Sequence, residues 1–205
     1  MRIKDEEFNS FILDIIGFTL FALGVAAVAN SLFIKNPTQI FWGCYLGLLI
    51  MGIGIIKRNS FLIMSQVYIL AIPMIIWDMD FLHYLILNQP LWGITDYFFL
   101  ERNLDLSKAI SLQHLFSIPL ALYATKKIGL KRKDAWKLSL IQITLVYIIV
   151  SLFTIPEANI NCVFDPCINL YFGIPYRLTW FITIFGMTFL TAILINKFLI
   201  KKLQS

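Results

Sequence analysis

The chain has 205 residues, 59% of them hydrophobic and 14% charged, with a mean hydropathy of +0.79, which is too apolar for an ordinary soluble domain. The formal charge of +5 does not mark a nucleic-acid binder. The basic residues sit at the ends of apolar runs, where they set membrane orientation, and no aromatic-basic face is left for a phosphate backbone.

These bounds predict one integral membrane domain over residues 1–205, all-α, with six transmembrane helices. About 20 apolar residues at ~1.5 Å rise each cross ~30 Å of hydrocarbon. After the charged lead-in MRIKDEEFNS, the first span is expected over 11–34, with Asp14 near one end and Asn30 near the other. Ala27-Val28-Ala29 resembles a cleavage site. However, the run exceeds the ~7–15 residues of a signal-peptide core, and Asp5, Glu6 and Glu7 spoil a basic n-region. The second span, 38–56, follows Pro37 and closes at Lys57-Arg58; its Gly43-x-x-x-Gly47 would admit a close helix neighbour. The third, 61–77, holds Gln66, Tyr68 and a kinking Pro73. Residues 78–104 mix acids (Asp78, Asp80, Asp96, Glu101) with apolar runs too short to span, and read as interfacial or re-entrant helices. Spans over 106–125, 135–155 and 177–198 complete the bundle, with a polar loop at 156–173.

Six spans leave both termini on one side. The basic run Lys126, Lys127, Lys131, Arg132 and Lys133 puts that side in the cytoplasm, together with every other basic residue except Lys35, Arg102, Lys108 and Arg177. This is the positive-inside pattern of a multi-pass protein of the cell membrane. Segments 78–104 and 156–173 are then exoplasmic. On that oxidising side the spacing of Cys162 and Cys167 permits a small disulfide-closed loop.

Chemistry is expected around His114. In span four Ser107, Ser111, His114 and Thr125 share one helical face; in span five Thr144, Tyr147, Ser151 and Thr154 form another. His114 and Tyr147 both lie ~12 Å below the outer interface. Antiparallel neighbours with short loops normally pack together, so these two are expected to face one cavity. An ionisable residue at that depth is costly unless it has a partner or a task. If catalytic, His114 would be a general base oriented by Asp96 or Asp80, with Thr95 or Ser111 as nucleophile. Trp77, Asp78, Tyr147, Asn159 and Asn161 would line the binding site. Two histidines exclude a three-histidine zinc site, and neither a metal nor a cofactor is assigned. The leading expectation is an intramembrane site for a lipid or other amphiphile, entered from the outer leaflet, with membrane lipids as partners. A small-solute transporter or its binding subunit, and a scaffold whose polar stripes only join helices, are the alternatives.

The series Trp77…Asp80-Phe81, Leu91-Trp92-Gly93-Ile94-Thr95-Asp96-Tyr97-Phe98, Ser111-Leu112-Gln113-His114…Pro119 and Pro156-Glu157-Ala158-Asn159-Ile160-Asn161-Cys162-Val163-Phe164 resembles a family of small prokaryotic polytopic integral membrane proteins. The resemblance covers about residues 75–170. It implies the membrane class and marks the same residues, without implying a reaction. Cys162 stands where that family would have a tryptophan.

Overall fold

The computed structural model describes residues 2–100, 105–168 and 173–199, with no strand among the described residues. Glu101, Arg102, Lys201 and Lys202 lie outside them. The helices are α1 (Arg2–Phe33), α2 (Gly43–Ile56), α3 (Ser60–Leu87), α4 (Asp96–Phe99), α5 (Leu106–Ser111), α6 (His114–Ile128), α7 (Ala135–Phe153) and α8 (Tyr176–Leu194). Short 3-10 turns precede α2 (Pro37–Phe41) and follow α7 (Pro156–Ala158, Ile160–Cys162).

Among the described residues, four helices are long and apolar enough to cross a membrane: Glu7–Phe33 within α1, Ser60–Leu87, Ala135–Phe153 and Tyr176–Lys197, which is α8 with the start of the π-helical turn (Ile195–Leu199) that continues it. The expected spans 38–56 and 106–125 take a different form. α2 has 14 residues, or ~21 Å at ~1.5 Å per residue. Span four is broken into α5 and α6 at Leu112-Gln113. Pro119 lacks an N–H, and its ring crowds the carbonyl of Leu115. Upstream of it the ladder tightens to i→i+3 bonds, Gln113 N–H to Ile110 O and Leu115 N–H to Leu112 O.

Span three is longer than the sequence suggests. α3 continues past Trp77 to Leu87, because no breaker intervenes before Asn88. That residue closes the helix in the left-handed region (φ 54°), with Pro90 following. At its start, the Asn59 side chain accepts from the N–H groups of Phe61 and Leu62. Asp78 and Asp80 therefore stand on an extension of α3, not in a separate interfacial helix.

α3 is the central column. α2, α6, α7 and α8 all pack against it, and its buried Ile63, Val67 and Tyr68 meet Leu48, Met51 and Ile55 of α2 in the main core. A second core joins Ile143 and Val150 of α7 to Trp180 of α8 and to Ile160 and Val163 of the loop between them. α6 and α7, though consecutive, each pack along α3 and make little contact with each other. The link between them crosses the start of α3, where Lys131 N–H donates to Ser60 Oγ at 3.4 Å and the Arg132 guanidinium lies over the Phe61 ring at 4.3 Å.

Hydrogen bonds tie the helices together at two ends. At one end Arg58 donates to Ser10 O and to Asp14 Oδ1 (2.9 and 2.8 Å), beside Ser60 and the Lys131 link. At the other, Asn30 Nδ2 donates to Ser107 Oγ (2.8 Å), and Asn161 bridges the start of α2 (below).

Candidate functional site

A cavity of about 450 Å3 lies between α2, α3, α7 and α8, within the ~300–1,000 Å3 range of small-molecule sites. Its walls are apolar, among them Leu70, Met74, Ile143, Val146, Ile184 and Met187. Along α3 it reaches from Gln66 to Trp77, ~16 Å at ~1.5 Å per residue. No Asp, Glu, Lys or Arg lines it among the described residues.

His114 stands at the Trp77 end. Its ring stacks on the Trp77 indole, centroids 4.5 Å apart and 18° between planes. Nδ1 lies 2.6 Å from the carbonyl oxygen of Ser111, which can only accept, so Nδ1 carries the proton. In the neutral imidazole Nε2 is then the lone-pair nitrogen. The Gln113 amide lies 3.3 Å from the same Nδ1, and its Oε1 is buried without a partner. Two donors cannot face each other, so turning that amide over would place the orphaned oxygen beside Nδ1–H. The histidine thus also closes the α5–α6 break, satisfying a carbonyl that the interrupted ladder would leave open.

The loop after α7 borders the same end of the cavity. Cys162 and Cys167 are joined by a disulfide, and both line the cavity. Asn161 Oδ1 accepts from Gly43 N–H (2.7 Å), its Nδ2 donates to Phe41 O (2.8 Å), and its own carbonyl accepts from Trp180 Nε1 (2.9 Å). The Tyr176 hydroxyl donates to Cys162 O. Asn159 organises the loop from within: Oδ1 accepts from Phe164 and Asp165 N–H, and Nδ2 donates to Asp165 O. Asn161 therefore faces the cavity while holding the loop, and Asn159 only holds the loop.

Asp80 and Thr95 meet each other instead of His114. The Asp80 carboxylate, 0% exposed, accepts from the N–H groups of Leu91, Trp92 and Gly93 on Oδ1, and from the N–H and hydroxyl of Thr95 on Oδ2 (2.6–3.2 Å). One turn further along α3, His83 Nδ1 lies 2.8 Å from Gln89 O. Together they clasp the chain as it returns beside α3. Trp77, Phe81, Tyr84, Phe98 and Phe99 form an aromatic cluster beside that loop, with Trp77 stacked on Phe81, Tyr84 stacked on Phe99 and Phe98 edge-on to Phe81. Ser111 Oγ donates to Ser107 O (2.9 Å). With both hydroxyls committed elsewhere, the expected pairing of His114 with a Thr95 or Ser111 nucleophile is not assembled, and Asp80 is not its orienting acid; Ser111 O fills that place.

Asp96 caps nothing through its side chain; one oxygen is buried without a partner and the other lies near Gly93. Asp78 likewise has a buried, unpartnered Oδ1. Tyr147 packs at a tilt against Trp180 and Phe181 in the second core (ring centroids 5.1 and 4.4 Å apart) and does not line the cavity. The expected meeting of His114 and Tyr147 fails because α6 and α7 are separated by α3.

Polar groups to which the sequence assigns no site role lie at the far end. Gln66 Nε2 donates to Gln142 Oε1 (2.9 Å) and to Ser65 Oγ (3.1 Å), and Thr183 Oγ1 is buried without a partner; Gln66, Gln142 and Thr183 all line the cavity. Amides inside two apolar helices are costly without partners, and that cost is the signal that could have paired them. The chain matches no protein-family model, no curated protein and no solved structure.

Proposed function

We propose that this chain is a multi-pass protein of the cell membrane. Its cavity would hold the apolar part of a lipid or other amphiphile, with His114 at the outer rim. The carrying observation is a cavity of about 450 Å3 with apolar walls, in which the polar lining groups include an imidazole that offers Nε2 as an acceptor. A lipid tail is matched by the walls, and a hydroxyl or amide N–H of the guest by Nε2. The same nitrogen could take a proton from a bound group, but the neighbouring hydroxyls are committed to Ser107 O and Asp80. Binding is therefore favoured over covalent catalysis. Six crossings with cytoplasmic termini fit this reading, since Ser10, Arg58 and Lys131 share one end of the bundle and Asn30, Ser107 and Asn161 the other.

The test is native mass spectrometry of gently solubilised protein, wild type beside two variants. Val146→Trp fills the cavity from α7, and His114→Phe keeps the Trp77 stack while removing both nitrogens. A lipid-mass adduct is expected on wild type, absent in Val146→Trp and at least severalfold weaker in His114→Phe. An adduct that survives Val146→Trp, or no adduct on wild type, would overturn the reading in favour of a scaffold.

A further inference from the structure

The cavity's inner end is chemically different from its rim, and it specifies what kind of group a guest can bring there. Gln66, only 3% exposed, uses Nε2 on Gln142 Oε1 and Ser65 Oγ. The amide pair, joined through that one N–H, keeps Gln66 Oε1 as an acceptor and Gln142 Nε2 as a donor beside each other on the cavity wall.

Thr183 adds a second, independent observation. Lower on α8, Thr188 and Thr191 return their hydroxyls to the carbonyls of Ile184 and Met187 one turn back (2.9 and 2.8 Å). That is the usual resting state of a threonine in an apolar helix. Thr183, in the same helix and lining the cavity, has Oγ1 buried with no partner. A buried hydroxyl left unpaired costs about 1–3 kcal/mol, and a turn about χ1 that brings it to a guest in the cavity removes that penalty. No charged side chain lines the cavity among the described residues. A carboxylate, phosphate or ammonium carried to this depth would be uncompensated.

Resting on the amphiphile-binding reading, we propose that the Gln66–Gln142–Thr183 end of the cavity is a recognition site for an uncharged group that both donates and accepts. The ligand class is a long-chain molecule bearing a hydroxyl or carboxamide. Charged head groups stay outside. Gln66 and Gln142 are specificity-determining residues, and Thr183 supplies the third hydrogen bond.

The experiment uses one twelve-carbon chain with a mid-chain diazirine, ended by hydroxyl, carboxamide, methyl, carboxylate or trimethylammonium. Each is photolysed at pH 7.5 with the full-length protein in nanodiscs, and adducts are mapped by peptide mass spectrometry. Peptides of α3 and α8 that line the cavity are expected to take at least tenfold more hydroxyl and carboxamide probe than the other three. That preference is expected to vanish in Gln66→Leu/Gln142→Leu and to fall severalfold in Thr183→Val, a near-isosteric change that protects the test against misfolding of the double variant. Equal labelling by all five probes would overturn this inference and leave the amphiphile site standing. No cavity labelling by any probe would overturn both. A preference that persists in a folded double variant would remove the glutamines from the site.

Discussion

The Asp80 carboxylate is fully buried on α3, beneath the loop that brings the chain back along that helix. The acid among aromatics invites a role in proton transfer. Yet five donors from Leu91, Trp92, Gly93 and Thr95 converge on its two oxygens, which leaves it no free lone pair aimed at His114. Hydrogen bonds to a charged group contribute about 1.5–3 kcal/mol each when one partner is deleted, against about 1 kcal/mol for a neutral pair. Asp80→Asn turns one acceptor oxygen into a donor facing N–H groups, so it is expected to destabilise the protein by about 2–3 kcal/mol. Thr95→Val, which keeps the Thr95 N–H bond but removes one hydrogen bond to the carboxylate, is expected to cost about 1.5–2 kcal/mol. Unfolding in mixed detergent micelles gives both numbers. Hydrogen exchange should open residues 89–95 selectively in Asp80→Asn while α7 and α8 stay protected. A Thr95→Val more damaging than Asp80→Asn would sink the clasp. His114 was legible as the residue to watch, because an imidazole in an apolar run has to be explained. Its partners were not legible: Ser111 O becomes available only because the helix breaks, and Trp77 lies on a different helix.

At the scale of helices, the glycine pattern was readable in kind but misplaced in position. Gly43-x-x-x-Gly47 was expected to bring two helices together. Gly43 instead gives its N–H to Asn161, and a methyl at Gly47 would meet the end of the Leu70 side chain, which can rotate away. The close approach is between α1 and α2 at Gly52, where an added Cβ would stand 2.6 Å from Phe21 N, a backbone atom. Gly52→Ala must therefore push two helices apart, at a cost of about 1–3 kcal/mol. Gly186→Ala in α8 meets nothing within 4 Å and should be neutral or stabilise by about 0.5–1 kcal/mol through reduced chain entropy. Gly47→Ala should fall between them. Unfolding of the three variants in mixed micelles checks the order; a neutral Gly52→Ala would mean the α1–α2 contact is looser than the backbone distance implies. The same limit explains span four. Hydropathy sees one apolar run over 106–125, but whether it stays one helix depends on the Pro119 ring and on His114 finding Ser111 O, which are three-dimensional matters.

For the whole molecule, the basic residues carried most of the legible information. Four crossings by the long helices alone and six crossings with α2 and α5–α6 included both leave the termini on one side, so terminal tags cannot separate them. The difference lies in the direction of α3. With six crossings α3 starts in the cytoplasm at Lys57-Arg58 and ends outside near Gln89; with four it runs the other way. Two features favour six. Arg58 binds Asp14 and Ser10 near the start of α1, and Lys131 of the basic link reaches Ser60, so the cationic groups gather at one end, as the positive-inside rule requires. The four-crossing arrangement would carry Lys57 and Arg58 outside while leaving Asp14, the ion-pair partner of Arg58 at 2.8 Å, near the inner end of α1. That would separate by a membrane two groups that touch. The check is thiol labelling with a membrane-impermeant maleimide in a Cys44→Ala background, since Cys162 and Cys167 are bonded to each other. Gln89→Cys is expected to label in intact cells and Lys57→Cys only after permeabilisation, because both positions are exposed and only their side of the membrane differs. The reverse pattern would turn α3 over and place the disulfide end of the cavity and its His114 rim at opposite membrane faces. That is incompatible with the single rim formed by His114, Trp77 and the Asn161–Cys167 loop, so the orientation of α3 decides the topology and the entrance of the cavity together.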